Sequence, residues 1–228
     1  MQRQAPDTAR FGGQANETQG ETPMKSGIAA ALALLFIAPV ASAADYEIRP
    51  ATSRVSFTSD APFETIVGTT SSVEGTISVS PAAPATGAKA TVKVDIASLK
   101  TGVDMRDEHL RGESWLDAAK HSHATFELER LELPAGAKIE IDKKVQGTVH
   151  GKLTIKGKTQ TVKAPVTVGL FAPNPKLAKM GLDGEVLRAK TSFDVALRDF
   201  GVVVPDNLAG LKVADTVNIA MDITALKK

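Results

Sequence analysis

From Ala44 to Ala225 the apolar residues of this chain recur mostly at every second position, and that period limits what the chain can fold into. A period of two marks a strand with one buried and one wet face; a helix repeats about every 3.6 residues. Val92, Val94 and Ile96 alternate with Thr91, Lys93 and Asp95. Val145, Gly147, Val149, Gly151, Leu153 and Ile155 alternate with polar neighbours from Gln146 to Lys156. The same holds for Val162, Ala164, Val166, Val168 and Leu170, and for Val217, Ile219, Met221, Ile223 and Ala225. Shorter runs surround Val55 and Phe57, Val73 to Val79, Phe126 and Leu128, Ile139 and Ile141, and Phe193 to Leu197. Turn signals separate them at Pro81 to Gly87, at Pro134-Ala135-Gly136 and at Gly157-Lys158.

One wet face per strand belongs to antiparallel sheets, because doubly wound parallel sheets are covered on both faces. So many strands in one domain must stack as a sandwich or close into a barrel. The period does not choose between these. The inward positions are mostly Val, Ala, Gly, Ile and Leu, and aromatics make up only 4% of the chain. A small barrel either fills its interior with bulky side chains or keeps room for one ligand. Small linings favour room, but a sandwich core of β-branched residues fits equally well.

One segment breaks the alternation. Residues 101–119 hold Met105, Leu110, Trp115 and Leu116 among charged residues, and Thr101 and Asp104 stand in capping-box spacing. They predict two short helical turns, broken near Gly112, that cover one end of the strands.

The first 43 residues read differently again. Residues 1–23 are polar and aperiodic, consistent with a disordered stretch from an over-extended start. At Met24-Lys25 a charged region begins, followed by an apolar run from Ile28 to Ala38 and then Ala41-Ser42-Ala43. This is the order of a secretory signal peptide with a small-x-small cleavage site. The run falls short of the ~20 residues a membrane span needs. The expectation is a signal peptide at 24–43, cleavage after Ala43, and one mature domain at 44–228 in a bacterial periplasm, with no stable membrane span. The alternative is an uncleaved signal anchor.

Composition narrows the functional classes. Lys and Arg number 27 against 26 Asp and Glu, with no basic block, so no nucleic-acid partner is expected. Cysteine is absent, which excludes disulfides, thiolate nucleophiles and cysteine-held zinc. No Gly-x-Ser-x-Gly, His-Glu-x-x-His or phosphate-loop pattern occurs, so the chain reads as a non-enzyme without a cofactor. A hydrolytic relay would have to assemble from His109, Asp107 or Asp117, and Ser114. His121 and His123 would share one strand face, but no third metal ligand lies nearby.

Seven stretches in order resemble the YceI-like family, the bacterial polyisoprenoid-binding domain. They are Tyr46 to Phe57, Val73 to Val79, Val94 to Gly102, the run Arg106-Asp107-Glu108-His109-Leu110-Arg111 with Trp115-Leu116-Asp117 and Ala124-Thr125-Phe126, Gly151 to Val162, Arg198-Asp199-Phe200-Gly201, and Asp215 to Ile223. The resemblance implies an all-β fold: an extended antiparallel lipocalin-like barrel of about eight strands with a helical segment at roughly 103–119. It implies a long internal pocket for an isoprenoid or similar lipid-like chain. Similar proteins are often dimeric, so a homodimer is possible. The chain departs from the family at Ser59 to Gly68, where many members carry a Lys-His pair and a glycine-rich stretch.

The candidate ligand contacts are Arg106, His109, Arg111, Trp115, Phe126, Phe171, Arg198 and Phe200. Arg106 and Arg111 suit a clamp on an anionic headgroup, since guanidinium binds such groups bidentately. The competing reading pairs them with Asp107, Glu108 or Asp117 to pin the helix. Arg198 and Asp199 would likewise form a strand-end ion pair beside a packed Phe200.

Overall fold

The computed structural model describes residues 42–228. The readings on 1–23 and on 24–41 of the leader lie outside the described residues.

The alternating segments build antiparallel staves, and each stave pairs edge to edge with the next one along the chain. Strands β1 (Ala44–Ile48) and β2 (Arg54–Ala61) make one stave, interrupted by a 3-10 turn at Pro50–Thr52. Strands β3 (Glu64–Thr70) and β4 (Val73–Val79) make the second. Six single strands follow: β5 (Lys89–Asp95), β6 (His123–Glu132), β7 (Lys144–Ile155), β8 (Lys158–Phe171), β9 (Val186–Ala196) and β10 (Thr216–Lys227). β10 then closes the ring on the first stave, pairing Ala225 with Ile48 of β1 and Asn218 with Thr58 of β2. The result is a closed barrel of eight antiparallel staves built from ten segments. Closure decides between the sandwich and the barrel, and it leaves no open sheet edge between the first and last staves.

The inward faces are those the period assigns. On β8 Val162, Ala164, Val166, Val168 and Leu170 are buried, and on β10 Val217, Ile219, Met221, Ile223 and Ala225 are. Burying each such side chain contributes roughly 1.5–3 kcal/mol, so a one-residue slip of either strand would turn its whole apolar set into water.

Two local expectations are corrected. Ile139 and Ile141 belong to no strand: Ile139 donates its N–H to Pro81 O and plugs the barrel end, and Ile141 makes a single bridge to Leu170. The β7–β8 turn is Lys156-Gly157, one residue earlier than expected, with φ of 49° and 71°. Two left-handed residues match the twist of the flanking strands, and Lys158 already belongs to β8.

The break in the first stave is bridged by a side chain. At the kink Ser53 is buried; its hydroxyl accepts from Thr224 N at 3.0 Å and donates to Thr224 O at 3.2 Å. Arg49 N also donates to Thr224 O. Ser53→Ala therefore leaves the Thr224 N–H buried without this partner, at an expected cost of about 1–3 kcal/mol. Urea denaturation should show a lower midpoint at unchanged slope.

The closed end is packed by Tyr46, Ile139, Leu131, Leu170 and Leu187. On the outer face there, Leu182, Val186 and Leu226 pack with Phe171 and with Leu177 of the short helix α2 (Pro175–Ala178). No helix among the described residues is long and apolar enough to cross a membrane.

Candidate ligand cavity

The half of the barrel away from Tyr46 is hollow. A cavity of about 530 Å³ runs between the inward residues of β2, β3, β5, β6, β7, β9 and β10. Its wall is mostly aliphatic and aromatic; among the described residues, Glu64, Arg106, His109 and Lys212 are the ionisable ones lining it. Val103 and Met105 line it yet are 47% and 67% exposed, so the cavity opens to the surface at that point. Phe63, Val203 and Leu211 are also exposed at this end, with Phe63 N donating to Leu211 O at 3.0 Å.

The predicted helical segment is α1 (Asp104–Arg111), which ends at Gly112 and continues as turns to Lys120. Its cap differs from the expected one. The N-cap is Val103, with no side-chain cap bond. Thr101 lies two residues before it and cannot serve the first-turn amides. Instead both the amide and the hydroxyl of Thr101 donate to Asp107 Oδ1 at 2.7 Å. Thr101 Oγ1 in turn accepts from Arg106 Nε at 3.0 Å. Asp107 is almost fully buried and has Lys100 Nζ 3.5 Å from its other oxygen. The Thr101 hydroxyl, then the Thr101 amide, hold its carboxyl below the usual range.

Sign follows from that direction. A depressed carboxylate stabilises the fold fully above its unfolded value, about pH 3.9, and the contribution is lost as pH falls through the folded value. The attachment of α1 should hold at mildly acidic pH and loosen in strong acid. Trp115 is the only tryptophan, so its emission can follow this. Asp107→Asn should remove the acid step contributed by this group.

Arg106 spends its donors on the protein. Nη1 donates to Glu64 Oε1 at 2.5 Å, Nη2 to Thr101 O at 3.2 Å, and Nε to Thr101 Oγ1. It pins α1 to β3, and its carboxylate partner is Glu64 rather than Asp107, Glu108 or Asp117. On α1, residues 103, 105, 106, 109 and 110 face the cavity and 104, 107, 108 and 111 face away, as a period near 3.6 requires.

Five of the predicted contacts come together on the cavity wall: Arg106, His109, Trp115, Phe126 and Phe200. Three do not. Arg111 sits on the opposite helix face, where its carbonyl accepts from Ala118 N. Phe171 follows inward Leu170 by one residue, so it points outward into the small cluster with Leu226. The side chain of Arg198 is 87% exposed and lies 3.8 Å from the Asp199 carboxylate. The suggested relay is not assembled among the described residues. Asp107 is committed to Thr101 and Lys100, Asp117 pairs with Lys120, and His109 has no carboxylate partner. His121 packs against Gly157, and His123 Nδ1 meets Ser122 Oγ at 2.9 Å.

Sequence reading missed the segment after η3 (Leu197–Phe200), where Val202, Leu208, Lys212 and Val213 complete the wall. That segment has no alternation to signal it. The Ser59 to Gly68 stretch forms the β2–β3 hairpin, and Ser59, Glu64 and Ile66 from it line the cavity.

An eight-stave antiparallel barrel, hollow and apolar in one half and covered there by a short helix, defines a lipocalin-like all-β protein. The chain belongs to the YceI-like family, whose domain model matches residues 46–225. A UPF0312 protein of Shewanella oneidensis is 29% identical over 188 residues, covering 79% of this chain and 90% of the relative. One from Vibrio cholerae is 30% identical over 145 residues, covering 62% and 70%. Among solved structures, Burkholderia cenocepacia BcnA superposes with a TM-score of 0.62 at 28% identity, covering 78% of this chain and 98% of that one. A polyisoprenoid binding domain from Saccharophagus degradans, implicated in plant cell wall breakdown, shares the fold with a TM-score of 0.61 at 18% identity, covering 80% and 98%.

Proposed function

We propose that this protein is a periplasmic carrier that encloses a long apolar or amphiphilic molecule in its barrel. An isoprenoid, quinone-like or fatty-amide chain is the class of ligand. The observation that carries this is the cavity of about 530 Å³ with an almost wholly apolar wall. Affinity then comes from buried methylenes, each worth ~0.8 kcal/mol, and needs little polar recognition. Polyisoprenoid binding by the Saccharophagus relative is consistent with the same ligand class. Export is supported by the leader pattern at 24–43 and by β1 beginning at Ala44, where the mature chain would start.

Trp115 lines the cavity and is the only tryptophan, so ligand entry should change its emission. Native mass spectrometry of protein from its own host tests the reading directly. A co-purifying lipid-like mass is the expected result. A clean apo mass, with host lipid extracts shifting neither Trp115 emission nor melting, would overturn it.

A further inference from the structure

Below the main cavity lies a second, smaller void of about 80 Å³. Along the strands the inward residues pass from one void to the other. On β5 Val94, and just after the strand Ile96, line the upper cavity, and Ala88 and Ala90, just before and at the strand start, line the lower; Val92 lines both. On β6, Ala124 is upper, Leu128 and Leu131 are lower, and Phe126 lines both. On β10, Val217 and Ile219 are upper, Ile223 is lower, and Met221 lines both. Val92 and Phe126 are direct cross-strand partners. β6 and β10 stand four staves apart in a ring of eight, so Phe126 and Met221 reach inward from opposite walls.

The phenyl ring has a seat made for it. Its register partner on β7 is Leu153, but the diagonal neighbour is Gly151, and a Cβ there would fall 2.6 Å from Phe126 Cζ. Any larger residue would have to push the ring or the strand. The ring is therefore held against the bare backbone of β7, at the level where the two voids meet.

We propose that Phe126 and Met221 form the floor of the ligand site and set the length of the apolar chain it accepts. The inference rests on the carrier reading. The ligand is then a chain whose apolar part ends at this floor, because the void below is walled off by side chains. At about 80 Å³ that void is large enough to take a few more chain atoms. Removing the ring would join it to the cavity above and add the ring's own space.

The test uses straight-chain fatty alcohols from octanol upward, with Trp115 emission as the readout. In the natural sequence, affinity should rise about fourfold per methylene and stop rising once the chain meets the floor. In Phe126→Ala the break should move to longer chains by about three or more carbons. Met221→Ala should move it in the same direction by less, and supplies the answer if Phe126→Ala does not fold. An unmoved break in a folded variant, judged by circular dichroism, overturns the floor and leaves the carrier reading standing. Failure of every alcohol to bind the unaltered protein counts against both.

Discussion

Ile219→Trp is expected to abolish chain binding and leave the barrel folded. Ile219 points inward from the first half of β10, is buried, and lines the upper cavity. Its register partners are Phe57 on β2 and Phe193 on β9, so an indole there enters the void between two aromatic staves. Overpacking a filled core costs about 1–3 kcal/mol, but here the volume is already empty. The indole displaces several methylenes of ligand at ~0.8 kcal/mol each, so affinity should fall by about a hundredfold or more. Melting temperature should stay level or rise. Unchanged affinity, measured by native mass spectrometry against a fatty alcohol, would mean that the ligand does not use this cavity.

The second large effect lies at the opposite end. Tyr46 is wholly buried, and its hydroxyl donates to Glu185 Oε1 at 2.8 Å. Burial first, and the Glu185 carboxylate second, push its ionisation far above the ordinary value near 10. The folded chain keeps the phenol neutral, whereas the unfolded chain releases the proton near pH 10. Stability from this group is therefore complete below about pH 10 and declines as pH rises above it. Tyr46 is the only tyrosine, so absorbance at alkaline pH reports it alone. It should stay un-ionised well past pH 10 and titrate only together with unfolding. Tyr46→Ala should cost about 3–5 kcal/mol, as for other buried aromatics. Tyr46→Phe should cost about 1.5–3 kcal/mol, the range for a hydrogen bond to a charged group, even though Glu185 keeps Lys227 at 3.1 Å, and it should remove this alkaline step because no phenol proton remains.

What could be read from the residues followed periodicity. β5, β7, β8 and β10 were legible because a strand's two faces are written in consecutive letters. Ile139 and Ile141 imitate that pattern over too short a run, and tertiary context makes them a plug and a bridge. The site was legible only in part. Trp115 and Phe200, large apolar residues expected at the barrel end, line the cavity, as does Phe126. Phe171 follows an inward residue, and that one position of register turns it outward. Arg111 and Arg198 carry the charge an anionic headgroup would need, but charge does not tell which face of a helix or turn carries it. The Glu64–Arg106 pair spans 42 residues and two different elements, and no local pattern announces it.

By itself the sequence determined that strands would form, which residues of each would face inward, and where a helix would interrupt them. Each depends on neighbours a few residues apart, so the code for it is local. The tertiary structure alone decided that the sheet closes, that half the interior stays open, and that Phe126 and Met221 both stand at the boundary between the two voids. Those depend on where β10 finds the first stave and on volumes summed around the whole ring, and no stretch of chain holds that sum.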